Sequence, residues 1–242
     1  MKICSAQIQS IKGDIERNIQ KHISFINLAI ENGADLIFFP ELSLTGYEPT
    51  LAKKLATTQD DKRFDIFQEI SDNEKIIICV GIPTQFKEHV CISMVIFQPQ
   101  TSRQTYSKQM LHADEYPYFV NGEQQVFISH KNYKIAPAIC YESLQIEHSA
   151  YAASNRTNIY LASVAKSAKG VEKANLHYPE IAQHLNLIVL MANLVGPADD
   201  FVCTGNSAVW NKEGTLLAQL GDTNEGIIIF DAETQQFSTQ VI

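Results

Sequence analysis

"YKIAPAICYESLQIEH", residues 133–148, changes character in its middle. The first half is strand-like, with Ile135, Ala136, Ala138 and Ile139 around Pro137. The second half is polar and reads as a helix. Cys140 stands at the join. A helix that starts where a strand stops leaves its first amides unpaired and turns its positive end toward the join. A thiol there is either a small buried spacer, as most free cysteines are, or a nucleophile. In the second case the local field favours the thiolate, and the free amides favour an oxyanion. What the rest of the chain brings to Cys140 separates the two readings.

The pattern around this stretch recurs. Apolar, β-branched runs occupy 2–8, 35–39, 75–83, 90–98, 134–140, 158–164, 187–194, 206–211, 215–220 and 226–231. They have the length and composition of buried strands. "NKEG" at 211–214 is a hairpin turn. Between the strands lie helical segments. In 18–32, Ile19, Ile23, Ile26 and Ile30 share one face and Gly33 stops the helix. Weaker helical patterns cover 62–74, 144–155 and 172–185. Strands alternating with helices, closed by a hairpin, predict a layered α/β fold with a mixed sheet. With no repeat or linker, 1–242 reads as one domain.

Composition narrows the function. The 242 residues include 19 basic and 27 acidic ones, a net charge of -8. That leaves no basic stripe for nucleic acid. No apolar run is long enough to span a membrane, and "MKICSAQIQS" lacks the apolar block of a secretory signal. The five cysteines, Cys4, Cys79, Cys91, Cys140 and Cys203, contain no CxxC pair. They predict reduced thiols in a cytoplasmic protein, with neither a zinc site nor a disulfide framework.

Two charged residues sit oddly beside such runs. Glu41 follows "DLIFFP", and Lys108 lies in "TYSKQML". Alone, Glu41 reads as readily as a helix cap or solvated loop acid as it does as a site residue, and Lys108 reads as a surface lysine. Together with Cys140 they would supply a base, an oxyanion partner and a nucleophile for acyl transfer.

Three blocks carry a resemblance. "FFPELSLTGYEP" (38–49), "YSKQMLHADEYPYF" (106–119) and "PAICYES" (137–143) are similar, in order and separation, to the signature blocks of the nitrilase-type carbon–nitrogen hydrolases. "GNSAVWNKEG" (205–214) resembles a later family segment. The resemblance implies a four-layer α-β-β-α sandwich, built into a homodimer or larger homo-oligomer. It implies Glu41 as general base, Lys108 as oxyanion-stabilising lysine and Cys140 as nucleophile. Glu115, seven residues before Gly122, matches the second family glutamate, which positions the lysine or the substrate. The backbone N–H of Tyr141 falls where a second oxyanion donor belongs. The implied reaction is hydrolysis of a small amide or N-carbamoyl compound through a cysteine thioester, with no metal and no organic cofactor.

Departures shape the expectation further. "SLQIEH" replaces an Arg-Phe-Pro-Glu-like segment, and Ala182 and Leu185 stand where many members carry an arginine and an acid. Tyr141 replaces the tryptophan common in nitrilases, which favours an amidase. The length leaves no room for a second domain, which argues against the glutaminase unit of a synthetase. Rivals are a Cys–His hydrolase using His112, His148 or His177, and an inactive binding member of the fold. "SVAKSAKGVEKANLHY" (163–178), with Lys166, Lys169 and Lys173, reads as a solvated lysine-rich loop. Its alternative reading is attraction of a carboxylate-bearing substrate.

Overall fold

The computed structural model describes residues 1–242. The first half of the chain lays down β1 (Lys2–Gln7), α1 (Ile15–Glu31), β2 (Leu36–Phe38), a short α2 (Ala52–Leu55), α3 (Asp65–Glu74), β3 (Ile77–Phe86), β4 (His89–Phe97) and β5 (Gln104–Ser107). The second half lays down β6 (Ile128–His130), β7 (Tyr133–Ile139), α4 (Ile146–Ser154), β8 (Ile159–Val164), α5 (Ala168–Leu185) and β9 (Ile188–Asn193). A ribbon of β10 (Val195–Ala198) and β11 (Phe201–Thr204) follows. The chain ends with β12 (Ala208–Trp210), β13 (Leu216–Gln219), β14 (Gly226–Asp231) and β15 (Phe237–Val241).

These strands form two main sheets. One has the order β15-β14-β1-β2-β3-β4-β5, the other β13-β12-β9-β8-β7-β6. Only β1–β2–β3 and β7–β8–β9 pair in parallel. Parallel strands must be covered on both faces, which is why they read as unbroken apolar runs. Helices α1 and α3 cover the first sheet, and α4 and α5 the second. In α1 the stripe Ile19, Phe25, Ile26 and Ala29 is buried, and Asp14 caps the helix by accepting from the amide of Arg17. The inner faces of the sheets share one apolar core. Two serines stitch them: Ser5 Oγ donates to the carbonyl of Met191 (2.7 Å) and Ser163 Oγ to that of Phe39 (2.8 Å). The architecture is the expected α-β-β-α sandwich. No helix is long and apolar enough to cross a membrane.

Every strand read from the apolar pattern is present. Five others were not marked: β5, β6, β10, β11 and β15. They are short or polar, and β15 is exposed along its whole length. The expected loop at 163–178 is not a loop. Its first residues end β8, and α5 starts at Ala168 rather than near 172. Lys166 is buried, with 5% of its surface exposed. Lys166 therefore lies buried just before the helix, and Lys169 and Lys173 lie on the helix's exposed face rather than on a loop.

Candidate active site

The site forms where three chain segments leave the sheets. Glu41 follows β2 and Lys108 follows β5, both from the first sheet. Cys140 follows β7, from the second. Open α/β sheets collect chemistry at the carboxyl ends of parallel strands, and β2 and β7 both end here.

Lys108 is anchored before it acts. Its amide donates to the carbonyl of Ile92 (2.8 Å) and its carbonyl accepts from Gly122 (2.7 Å). Its Nζ donates to Glu41 Oε1 at 2.8 Å and to Glu115 Oε1 at 2.6 Å. All three side chains are buried, at 0%, 1% and 2% exposure for lysine, Glu41 and Glu115. Glu115 is held further by the hydroxyl of Tyr47 (3.0 Å) on Oε1 and the amide of His112 (2.7 Å) on Oε2. The loop bearing Glu115 closes through Gly122, where an added Cβ would lie 2.2 Å from the carbonyl oxygen of Ser107. Gly122→Ala is expected to cost about 1–3 kcal/mol by overpacking. It should also lower kcat by moving Glu115. A melting curve and kcat equal to wild type would show that this close approach does not hold the site.

Cys140 has φ +47°, a left-handed conformation that costs a non-glycine residue. It opens a 3-10 turn, Cys140–Leu144. Ser143 Oγ donates to the carbonyl of Cys140 (2.6 Å) and meets the hydroxyl of Tyr178 (2.7 Å). Glu142 bolts the turn to the lysine segment. Its Oε1 accepts from the amide of Ile139 and the hydroxyl of Tyr106, and its Oε2 from the amides of Gln109 and Met110. Burial pushes the Glu142 carboxyl up to about 7 despite these donors. Tyr141 is second in the turn, where a helical start leaves amides free.

The thiol is near enough to Glu41 for the two groups to shift each other, and lies 3.7 Å from the carbonyl of Ala165 and 3.9 Å from Lys166 Nζ. Glu41 Oε2 is buried and has no hydrogen-bond partner. Burial lifts Glu41 above the usual carboxylate range, with Lys108 opposing and Glu115 adding to the shift. Burial pulls Lys108 down, but the charges of Glu41 and Glu115 outweigh it and leave the ammonium above its ordinary value. Burial and then Glu41 push the Cys140 thiol up to about 11, with Lys166 and Lys108 pulling it back in part. The resting group is therefore a thiol. A single 3-10 turn carries little dipole, so the field of the turn is outweighed by burial beside a carboxylate, and the thiol proton is left for Glu41 to take.

No histidine contacts Sγ. His148 is spent between Tyr106 (2.9 Å) and Tyr160 (2.7 Å) behind the nucleophile. His112 Nδ1 pairs with Asp114 at 2.5 Å. His177 Nε2 is buried without a partner. The Cys–His reading has no geometry to support it. Cys140, Glu115, Tyr47, Tyr141, Lys166 and Phe201 line a chamber of about 570 Å³. No group of three His, Cys, Asp or Glu side chains is placed to hold a metal.

Two site residues escaped the sequence reading. Tyr47 and Glu142 lie inside the quoted signature blocks, yet nothing local says that one supports Glu115 and the other bridges two sheets. Lys166 was named as a lysine that could attract a carboxylate, but its burial is decided by tertiary packing and carries no local signal.

Comparison with known proteins follows this geometry. The chain is 26% identical over 245 residues to a glutamine-dependent NAD(+) synthetase of Acinetobacter baylyi, covering 98% of this chain and 45% of that protein. It is 25% identical to the synthetase of Thermotoga maritima, covering 98% and 42%. The chain thus spans less than half the length of these curated relatives. Length had argued against a synthetase's glutaminase unit, yet the match falls on part of such proteins. In structure, the glutamine-dependent NAD+ synthetase of Acinetobacter baumannii superposes with a TM-score of 0.85 at 26% identity, over 98% of this chain and 47% of the other. A variant of the amidase from Nesterenkonia sp. AN1 in complex with butyramide superposes with a TM-score of 0.88 at 23% identity, over 97% and 92%. The family model for carbon-nitrogen hydrolases matches residues 2–238, a span that contains every residue of the site and both sheets up to the start of β15, and on this match the chain belongs to the carbon-nitrogen hydrolase family.

Proposed function

We propose that the protein hydrolyses the C–N bond of a small amide or N-carbamoyl compound through a thioester on Cys140. One observation carries the reading. A single buried carboxylate, Glu41, holds Lys108 with one oxygen and keeps the other without a partner beside the thiol. Glu41 takes the Sγ proton as sulfur adds to the substrate carbonyl carbon. The oxyanion is met by Lys108 Nζ and the amide of Tyr141. As the tetrahedral adduct collapses, Glu41 returns the proton to the departing nitrogen, and ammonia or an amine leaves. Water then attacks the thioester, gives its proton to Glu41, and releases the acid and the thiol. Glu115, fixed by Tyr47 and His112, holds the lysine in place. The glutamine-dependent relatives and the butyramide-bound amidase favour primary amides as the substrate class.

The test is ammonia release from short primary amides, with intact mass read during turnover. An acyl adduct that maps to Cys140 is expected. Ammonia release without such an adduct, and undiminished in a Cys140→Ser variant, sinks the thioester.

Glu41 has its own signature. A thiol titrating near 11 is only about 10⁻⁴ ionised at neutral pH. Wild type escapes this limit by passing the proton to Glu41. In Glu41→Gln, loss of the neighbouring charge relaxes the thiol in part, but burial still holds it up. Alkylation of Cys140 should then be slow at pH 7 and rise about tenfold per pH unit to about pH 9. Wild type should show a much shallower slope. Equal slopes would remove Glu41 as the base.

A further inference from the structure

We infer that the outer wall of the chamber is an anion site, so that the preferred substrate is a short amide bearing a carboxylate at its far end. The inference rests on the amide-hydrolase reading above and specifies its substrate. Lys166, Lys169, Lys173 and His177 all line the chamber that holds Cys140. Lys169, Lys173 and His177 are spaced four apart on α5 and so share one helix face. Lys166 lies just before that helix. It is 5% exposed, and its Nζ meets only Cys140 Sγ, at 3.9 Å. Gly170 makes room for it: a Cβ there would lie 3.1 Å from Lys166 Cβ and 3.3 Å from its Cγ.

The charges around the chamber are answered unequally. Glu41 and Glu115 are held by Lys108. Asp114, on the opposite rim, is faced by His112. Neither Lys166, Lys169 nor Lys173 has a carboxylate within 4.0 Å, although lysines elsewhere do, such as Lys12 with Glu48 and Lys131 with Asp35. A chain of net charge -8 thus keeps three unanswered cations in the chamber wall beside its nucleophile. The start of α5, at Ala168, adds free amides and the positive end of a long helix to the same wall. A carboxylate completes this arrangement, and a neutral alkyl end leaves it unpaired. The site is open and wet at Lys169 and Lys173, so the selectivity is that of exposed ion pairs reinforced by one buried cation.

The experiment compares two primary amides of equal length, one ending in a carboxylate and one in a methyl group. Wild type should favour the acidic amide in kcat/KM. Lys169→Gln with Lys173→Gln should reduce that preference by about tenfold, and Lys169→Glu with Lys173→Glu should invert it. Added salt should shrink the wild-type preference. A ratio unmoved by both double variants overturns the inference, even with both amides turned over. If neither amide is hydrolysed and Cys140 acquires no adduct, the hydrolase reading fails instead. The anion site is then judged by calorimetry of a short dicarboxylate binding to the Cys140→Ala protein. Salt-sensitive binding weakened in the glutamine double variant supports it, and binding that is absent or unaffected overturns it.

Discussion

Lys108→Ala should abolish turnover and lower the melting temperature together. Losing one oxyanion donor typically costs about 10²–10³ in rate. Here the same ammonium neutralises two buried carboxylates. Without it, Glu41 shifts further upward and takes up a proton, so it no longer accepts one from sulfur. The combined loss should exceed about 10³-fold. Breaking a buried ion pair by removing one partner also costs about 3–5 kcal/mol. The pH dependence has a definite sign. Carboxyls whose folded pKa lies above the unfolded value bind more protons when folded, so stability falls as pH rises from the unfolded value through the folded one. The melting deficit of Lys108→Ala should therefore be larger at pH 8 than at pH 5. Calorimetric melts at both pH values check this. A variant with near wild-type turnover would return Lys108 to an ordinary structural lysine.

Cys140→Ala should separate the two effects. The nucleophile is gone, so hydrolysis should fall by about 10⁴-fold or more. The stability change should stay within about 1 kcal/mol. Only one sulfur atom leaves a position that opens onto the chamber, the left-handed φ is unchanged, and Glu142 and Ser143 still hold the turn. Melting curves should superimpose on wild type while ammonia release vanishes. Residual turnover within tenfold of wild type would eliminate Cys140 as the nucleophile. Set beside Lys108→Ala, the pair distinguishes a residue that only reacts from one that also holds the interior together.

Much of this was legible in the chain, for physical reasons that also mark the limits. Strands buried on both faces, such as β3 and β9, must be apolar throughout and announce themselves. Strands such as Gln104–Ser107 owe their existence to a neighbour's unpaired edge, β4, and their residues carry no such requirement. Glu41 and Cys140 stood out because a charge or a thiol directly follows an apolar run, whereas Lys108 stood out only through the resemblance of its block to the family's. Glu115 was visible only through the same resemblance, which its spacing to Gly122 matches. The bond from Glu142 to the lysine segment joins residues far apart in sequence. The placement of Lys166 depends on where β8 ends relative to β7. Neither fact is local, so neither could be read before folding. At Cys140 the field of the helix start is local and legible, whereas the burial and the carboxylate that oppose it are not.

The strand β1 sits between β2, formed by residues that follow within a few dozen positions, and β14, formed by residues 226–231. During synthesis one edge of β1 therefore stays open until residues 226–231 have been made. Such long-range pairing is slow to form and leaves a sticky border exposed meanwhile. It also sets a timetable for the chemistry. Glu41 and Lys108 emerge early, Cys140 later, and the sheet carrying the first two is sealed only when β14 pairs with β1. Until then Cys140 is a solvated sulfhydryl of ordinary cysteine acidity with no fixed proton acceptor. The change in its reactivity toward an alkylating agent would report the moment at which that seam closes.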